Sequence, residues 1–256
     1  MIVRVAPGVH WHALEDDVVV GRGHALRRPD GRVYLGVDTW RDDVFHQLVD
    51  AMAADLAPPL RTVVDHDDRE MLDRWLTAGF RVHRREREYA VPTDPRVTGL
   101  DRSAPPPGVA VLPVGLAEEG ALRALDRDLR EEIAASVGWE TMPVELFPGP
   151  DGRPGVADPS RYAVALLDGV AVGLARVAPL PRRPRLGLLA VRAAHRRRGI
   201  ARAILAEVLG ALHEDGVTTV GADVDERNAP ALALVEGLGG RPVGGAAELV
   251  LPAPRA

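Results

Sequence analysis

The stretch HRRRGIARAIL, His195 to Leu205, sets three arginines directly before a glycine and an apolar helical pattern. A guanidinium fork donates two parallel hydrogen bonds and so suits phosphate oxygens. A turn that runs into a helix N-terminus adds unpaired N–H groups and the positive end of the helix dipole at one point. Gly199 lets the main chain approach a ligand closely and adopt angles that a Cβ would forbid, and Ala201 keeps the next exposed position small. These residue types point to a local cradle for a diphosphate, formed by Arg196, Arg197, Arg198, Gly199, Ile200 and Ala201. The competing readings are a solvated basic face and a nucleic-acid patch. A net charge of −5 gives no global attraction to nucleic acid or anionic membrane, and basic and aromatic residues do not interleave on a face. Neither nucleic acid nor membrane is therefore expected as a partner.

The turn must be carried by elements on both sides. Before it, Pro184–Val191 (PRLGLLAV) is a nearly continuous apolar strand of the kind buried on both faces. After it, Ile200, Ile204, Val208 and Leu212 form one stripe, with Leu205 and Leu209 beside it, and Gly216 ends the helix. Further on, VTTVGADVD reads as a strand and NAPALALVEGLGG as a short helix, with Asn228 at the N-cap, Pro230 in the first turn and Gly239 past the end. PVGGAAELVLP is the last strand. Upstream, Gly108–Val114 is a short strand, and Ala117–Ile133 is a helix with Leu122, Leu125, Leu129 and Ile133 on one side. Two alternating runs joined at Asp168-Gly169 form a hairpin.

The chain also repeats itself at a shift of 160 residues. Val63–Pro92 lies over Asp223–Pro252, which sets Asp68 on Asn228, Gly79 on Gly239, Glu88 on Glu248 and Pro92 on Pro252. GRVYLGVDTWRDDVFHQLVDAMAADL follows the same strand-then-helix plan as the segment around the basic turn, without its arginines and glycine. The Pro-rich, polar stretch between the copies reads as a linker. The expected organisation is thus residues 1–92 as a degenerate copy, 93–107 as linker and 108–256 as the copy that keeps the basic turn.

Arg196-Arg197-Arg198-Gly199-Ile200-Ala201 matches Gln/Arg-x-x-Gly-x-Gly/Ala at every fixed position, and VDERNAPALALVEGLGG holds Asn-x-x-Ala-x-x-Leu downstream. In these motifs, their spacing and their strand order, Gly108 to Pro252 resembles the GCN5-related N-acetyltransferase (GNAT) superfamily. The resemblance implies an α/β (α+β mixed-sheet) GNAT fold in the C-terminal half and a partial GNAT-like repeat in the N-terminal half. It implies acetyl-CoA as co-substrate, entering where the strand Leu188–Val191 splays from Thr218–Val224. The backbone of Leu189, Ala190 and Val191 would pair with the pantetheine arm, Arg196 to Arg202 would hold the diphosphate, and Asn228 would reach the pantetheine from the other side. The implied activity is an N-acetyltransferase in which a primary amine, of a small molecule or a peptide, attacks the thioester directly. The alternative is a catalytically impaired GNAT-like protein that senses acyl-CoA.

The attacking amine must lose a proton, so a carboxylate or a water chain is needed as base. Glu140 beside Trp139 comes first, Asp223 is a second choice, and Glu145 and Asp225 stay open. Val235 stands where the family often has a tyrosine as general acid, and Gly239-Gly240 replaces its usual Gly-Phe. Trp75 and Phe80 suit a core between the copies, while Trp139 and Phe147 suit core or ligand contact equally. His10 and His12 could share a strand face but lack a third metal ligand, and Asp65–Asp68 suits turn and cap chemistry, so no metal is expected. All 32 basic residues are arginine and there is no cysteine, which excludes disulfides, a thiol nucleophile and cysteine zinc sites. Neither a long apolar leader nor a run of the roughly 18 apolar residues that spans a bilayer stands in the sequence, so a cytoplasmic location is expected. The chain is expected to be a monomer or a homodimer.

Overall fold

A computed structural model describes residues 2–6, 9–28, 31–102, 104–136, 158–180 and 183–253. In chain order the elements begin β1 (Ile2–Ala6), β2 (His10–Glu15), β3 (Val18–Arg27), β4 (Val33–Asp38), α1 (Asp42–Asp55), β5 (Leu60–Asp65), α2 (Arg69–Thr77) and β6 (Arg81–Pro92). They continue α3 (Pro95–Thr98), β7 (Val109–Leu112), α4 (Glu119–Ala135), β8 (Tyr162–Leu167), β9 (Val170–Ala178), β10 (Arg185–Val191), α5 (Ile200–Glu214), β11 (Thr219–Asp225), α6 (Ala229–Gly237) and β12 (Arg241–Leu251). The described residues divide into two compact units that interleave in sequence. One comprises positions up to 85 together with those from 244 onward, and the other runs from 86 to 243.

The first unit has strand order β1-β2-β3-β4-β5-β12. Its first four strands are an antiparallel meander. The Asp16-Asp17 turn between β2 and β3 has positive φ at both residues, the geometry that follows a tight hairpin's twist. On α1 the residues Phe45, Leu48, Val49 and Met52 fall on one helical face and are buried with Trp11, Leu35 and Leu60. Trp75 of α2 stands edge-on to Phe45 and Phe80, with ring centroids 5.0 and 4.7 Å apart. Trp75 and Phe80 are thus inside this unit's own core, whereas their sequence suggested a core shared between the copies. The unit is closed by the chain's last strand, where Ala246–Leu251 pairs antiparallel with Leu60–Asp65 and buries Ala247 and Leu249.

The second unit has strand order β6-β11-β10-β9-β8-β7. Leu122, Leu125 and Leu129 of α4 pack on Tyr162, Val164, Leu174 and Leu188. Ile200, Ile204 and Val208 of α5 pack on Ala163, Ala165, Val172 and Ala175. Two helices therefore cover β8–β10 through two separate cores. The β8–β9 hairpin turns at Asp168 and Gly169, both at positive φ, as the Asp-Gly pair requires. The strand beside β11 is not the one that follows α6. It is β6, from the first copy, whose residues 86–92 pair antiparallel with 219–225.

Each copy's final strand therefore completes the other copy's unit, and the repeat boundary does not coincide with the compact units. Within the stretch read as a linker, Thr93, Thr98 and Leu100 are buried, and α3 is capped by Asp94, whose side chain accepts from the Arg96 N–H. The internal repeat is exact for one pair of helices. Moving α2 by 160 residues lands Arg69 on Ala229 and Thr77 on Gly237, the limits of α6.

Candidate active site

The site begins where two parallel strands separate. Arg185 and Leu186 of β10 pair with Gly221 and Ala222 of β11, and there the ladder stops. On its other side β10 stays antiparallel to β9 through Val191↔Gly173, with Gly187 bulged out of register. A bulge kinks a strand and raises its twist, which turns the rest of β10 away from β11. From Leu188 to Val191 the strand has a partner on one edge alone among the described residues. Leu189 and Ala190 are consequently only partly buried, although the apolar run suggested a strand covered on both faces.

The basic turn continues from that open edge. Arg192 N–H donates to the Val172 carbonyl at 2.9 Å, and Ala193–His195 forms one 3-10 turn. Arg196 Nε donates back to the Val191 carbonyl at 2.9 Å. Arg197 has φ 62° and Gly199 φ 84°, both left-handed. For the arginine that conformation costs on the order of 1 kcal/mol, a strain characteristic of functional turns. Helix α5 starts at Ile200 with no side-chain cap. Among the described residues, the N–H groups from Arg197 to Arg202 donate to no main-chain or side-chain acceptor, and the first helical bond outside α5 proper is Ala203 N–H to the Gly199 carbonyl. Arg197, Arg198 and Gly199 are exposed, Ala201 and Arg202 are half-buried, and Ile200 is buried beneath them.

Arg196 differs from its neighbours. Glu132 of α4 accepts the Ala193 N–H at 2.6 Å, and its oxygens lie 3.4 Å from Arg192 Nε and 3.7 Å from Arg196 Nη2. Arg192 also reaches Asp128 at 2.9 Å. On the far side of the gap, Asn228 caps α6 with its side-chain oxygen, 3.3 Å from the Ala231 N–H.

One face of β11 carries carboxylates. Asp223 and Asp225 stand directly opposite Glu88 and Glu86 of β6, and alternate residues Ala222 and Val224 point into the core instead. Three of these acids are paired with arginines: Asp223 with Arg185, Glu88 with Arg183, and Asp225 with Arg227 at 2.9 Å. Asp223 is thus beside the last paired residues of the parting strands. Glu86 and Glu88 are residues that sequence reasoning missed, because it assigned them to the other copy. Their local sequence carries no sign that β6 crosses over. Glu140 and Glu145, with Trp139 and Phe147, lie outside the described residues. Val235 is buried and carries no transferable proton. Its Cγ1 and carbonyl oxygen lie 2.7 Å from where a Cβ on Gly240 would stand, which accounts for the second glycine. The nearby Tyr89 hydroxyl donates to Glu236 at 2.8 Å, and burial together with that carboxylate pushes its pKa up.

The first unit repeats the parting but not the turn. Its β4 and β5 pair only at Val33↔Leu60 and Tyr34↔Arg61. Residues 39–41 then lead straight into α1, where the second unit has 192–199. Asp42 and Asp43 fill the first turn of α1. Arg41 grips Asp43 at 2.8 Å, holding that carboxyl below its usual range, and Arg74 reaches Asp42 at 2.8 Å. The positive end of this helix is already answered by its own acids, so an added anion would meet like charge.

Among the described residues no three His, Asp or Glu side chains form a metal-ligating group, and no helix is long and apolar enough to cross a membrane. Residues 127–239 match the model of the acetyltransferase (GNAT) family. No curated protein matches the chain in sequence. Among solved structures, a GCN5-related N-acetyltransferase from Sphaerobacter thermophilus is similar at TM-score 0.65 and 16% identity, over 97% of this chain and 82% of that one. A tandem GNAT protein from the clavulanic acid biosynthesis pathway gives 0.61 and 18%, over 96% and 83%. A GCN5-related N-acetyltransferase from Kribbella flavida gives 0.58 and 16%, over 100% and 90%. These likenesses concern the fold, which here is a mixed α+β arrangement with a mixed sheet over nearly the whole chain. The parted strands and the arginine-glycine turn both lie within residues 127–239, the stretch that matches the acetyltransferase (GNAT) family, whose fold supports acyl transfer in general.

Proposed function

We propose that the chain moves an acetyl group from acetyl-CoA to a primary amine of a small molecule or peptide. The observation that carries this reading is the continuity of two features. The strand edge from Leu188 to Val191 lacks a β11 partner, and it leads directly into a turn whose N–H groups from Arg197 to Arg202 are unspent among the described residues. An extended pantetheine arm fits such an edge, with Leu189, Ala190 and Val191 offering main-chain groups to it. A diphosphate fits the turn, met by Arg197, Arg198, Arg202 and the backbone of Gly199, Ile200 and Ala201. Asn228 faces the same ligand with its amide nitrogen while its oxygen caps α6. The first unit would hold no coenzyme A.

In the reaction the amine nitrogen forms a bond to the thioester carbon. A main-chain N–H of the unpaired edge stabilises the oxyanion, and the carbon–sulfur bond then breaks. The amine proton passes to a carboxylate, directly or through water, with Asp223 the candidate among the described residues and Glu140 the other. The thiolate leaves without a protein acid, since Val235 stands at that position. A thiol pKa near 8.5 makes this feasible. Val235 equally favours a second reading, a GNAT-like protein that senses acyl-CoA without turning it over.

The deciding experiment is thiol release from acetyl-CoA with a panel of amines at neutral pH, beside a measurement of acetyl-CoA binding. Release dependent on one amine class supports the transferase. Binding without release for any amine supports the sensor.

A further inference from the structure

Four arginines lie between 192 and 198, and they fall into two pairs. Arg192 and Arg196 are engaged by carboxylates of α4, through Asp128 and Glu132. Arg197 and Arg198 are exposed and have no ion pair among the described residues. Glu132 is the junction. It is a quarter exposed and sits beside Ile133, a buried residue of the same helix. A pair between Asp126 and Arg130, 2.7 Å apart and buried, stiffens the preceding turn of the same helix. From this fixed position one oxygen takes the Ala193 N–H at 2.6 Å, a short charge-assisted bond. Arg196 is held twice, by Glu132 and by the Val191 carbonyl, immediately before the strained Arg197.

We infer that Glu132 is the positioning residue of the cofactor turn: it withholds Arg196 from the diphosphate and pins the turn so that Arg197 and Arg198 face the ligand. This rests on the reading of the turn as a coenzyme A site. Two functions are combined in one carboxylate, and they respond oppositely to substitution. The negative charge competes with phosphate for Arg196, while the oxygen acceptor keeps the turn in its binding shape. Removing the charge alone frees a cation for the ligand. Removing the acceptor as well loosens the turn.

The test is calorimetric titration of coenzyme A into the full chain and its Glu132→Gln and Glu132→Ala variants, at two salt concentrations. Glu132→Gln keeps an oxygen for the Ala193 N–H and loses the charge. Its Kd is expected to fall about fivefold, with a steeper salt dependence because one more cation meets the phosphates. Glu132→Ala is expected to raise Kd about tenfold. Weaker binding in both variants would reduce Glu132 to a structural support and overturn the inference, as would unchanged Kd and salt slope in both. Should the alanine variant not fold, the glutamine variant decides by itself: tighter, more salt-sensitive binding supports the inference, and any other result overturns it. A wild-type chain that does not bind coenzyme A overturns the cofactor reading, and the role of Glu132 falls with it.

Discussion

Asp68 and Asn228 do the same work in the two copies: each accepts, with its side-chain oxygen, the N–H three residues on, from Met71 at 2.9 Å and from Ala231 at 3.3 Å. The helices they cap match residue for residue at the 160-residue shift, yet only the cap in the second unit stands across the gap from the basic turn. Replacing either by alanine is expected to cost about 1 kcal/mol of stability through the lost cap. Asp68→Ala should leave coenzyme A binding unchanged. Asn228→Ala should weaken it severalfold, beyond its effect on stability. Thermal unfolding and calorimetric titration of both variants check the difference.

Glu248 is the most heavily paired carboxylate of the first unit. It is 5% exposed, accepts from Tyr34 at 3.0 Å and Arg61 at 2.5 Å, and lies 3.0 Å from Arg84 Nε. Burial alone would push its pKa up, but Arg84 and Arg61 outweigh burial and hold it below the usual carboxylate range. A carboxylate with a lowered folded pKa stabilises fully above its unfolded value of about 4.3, and that contribution is lost as pH falls from there through the folded value. Glu248→Ala is expected to destabilise the protein by about 3–5 kcal/mol, because it strands buried arginines. Glu248→Gln should flatten the loss of stability with acid in that pH window. Denaturant unfolding between pH 3 and pH 7, about the range in which carboxylates titrate, measures both.

The exchanged strands make the copies dependent on each other. A chain ending at residue 107 lacks β12, so β5 loses its antiparallel neighbour and the core loses Ala247 and Leu249. An open apolar edge of this kind invites aggregation. That fragment is expected to show no cooperative unfolding, and joining residues 241–253 to it by a flexible linker is expected to restore one. Circular dichroism melts of the two fragments test it.

How much of this was legible in the sequence follows the range of the interactions. The basic turn, the stripe of α5, the caps at Asp68 and Asn228 and the Asp168-Gly169 hairpin all depend on residues a few positions apart, and they fold as read. The strand exchange was not legible. β6 and β12 have the same pattern and align at Glu88 and Glu248, so nothing local says which β5-like strand either will join. The buried Thr93, Thr98 and Leu100 lay hidden in a Pro-rich stretch for a related reason, since composition marks turns but not what a turn packs against. Leu189 and Ala190 looked like core because apolarity cannot distinguish a strand flanked on both edges from one with an unpaired edge. Arg196 looked equivalent to Arg197 and Arg198. The Val191 carbonyl and the placement of Glu132, 64 positions before Arg196 in the chain, separate them.

In the proposed function the turn around Gly199 wraps the diphosphate of a coenzyme A ester. Thermal unfolding of the wild-type chain and of Gly199→Asp, with and without acetyl-CoA, tests it most directly. Gly199 is exposed at φ 84°, so aspartate there adds a negative charge and modest strain at the surface and leaves the cores untouched. Wild type is expected to gain about 2.7 kcal/mol at 100 times the dissociation constant, and Gly199→Asp to melt cooperatively yet gain nothing. Equal stabilisation of the two proteins by acetyl-CoA would contradict the assignment of the turn.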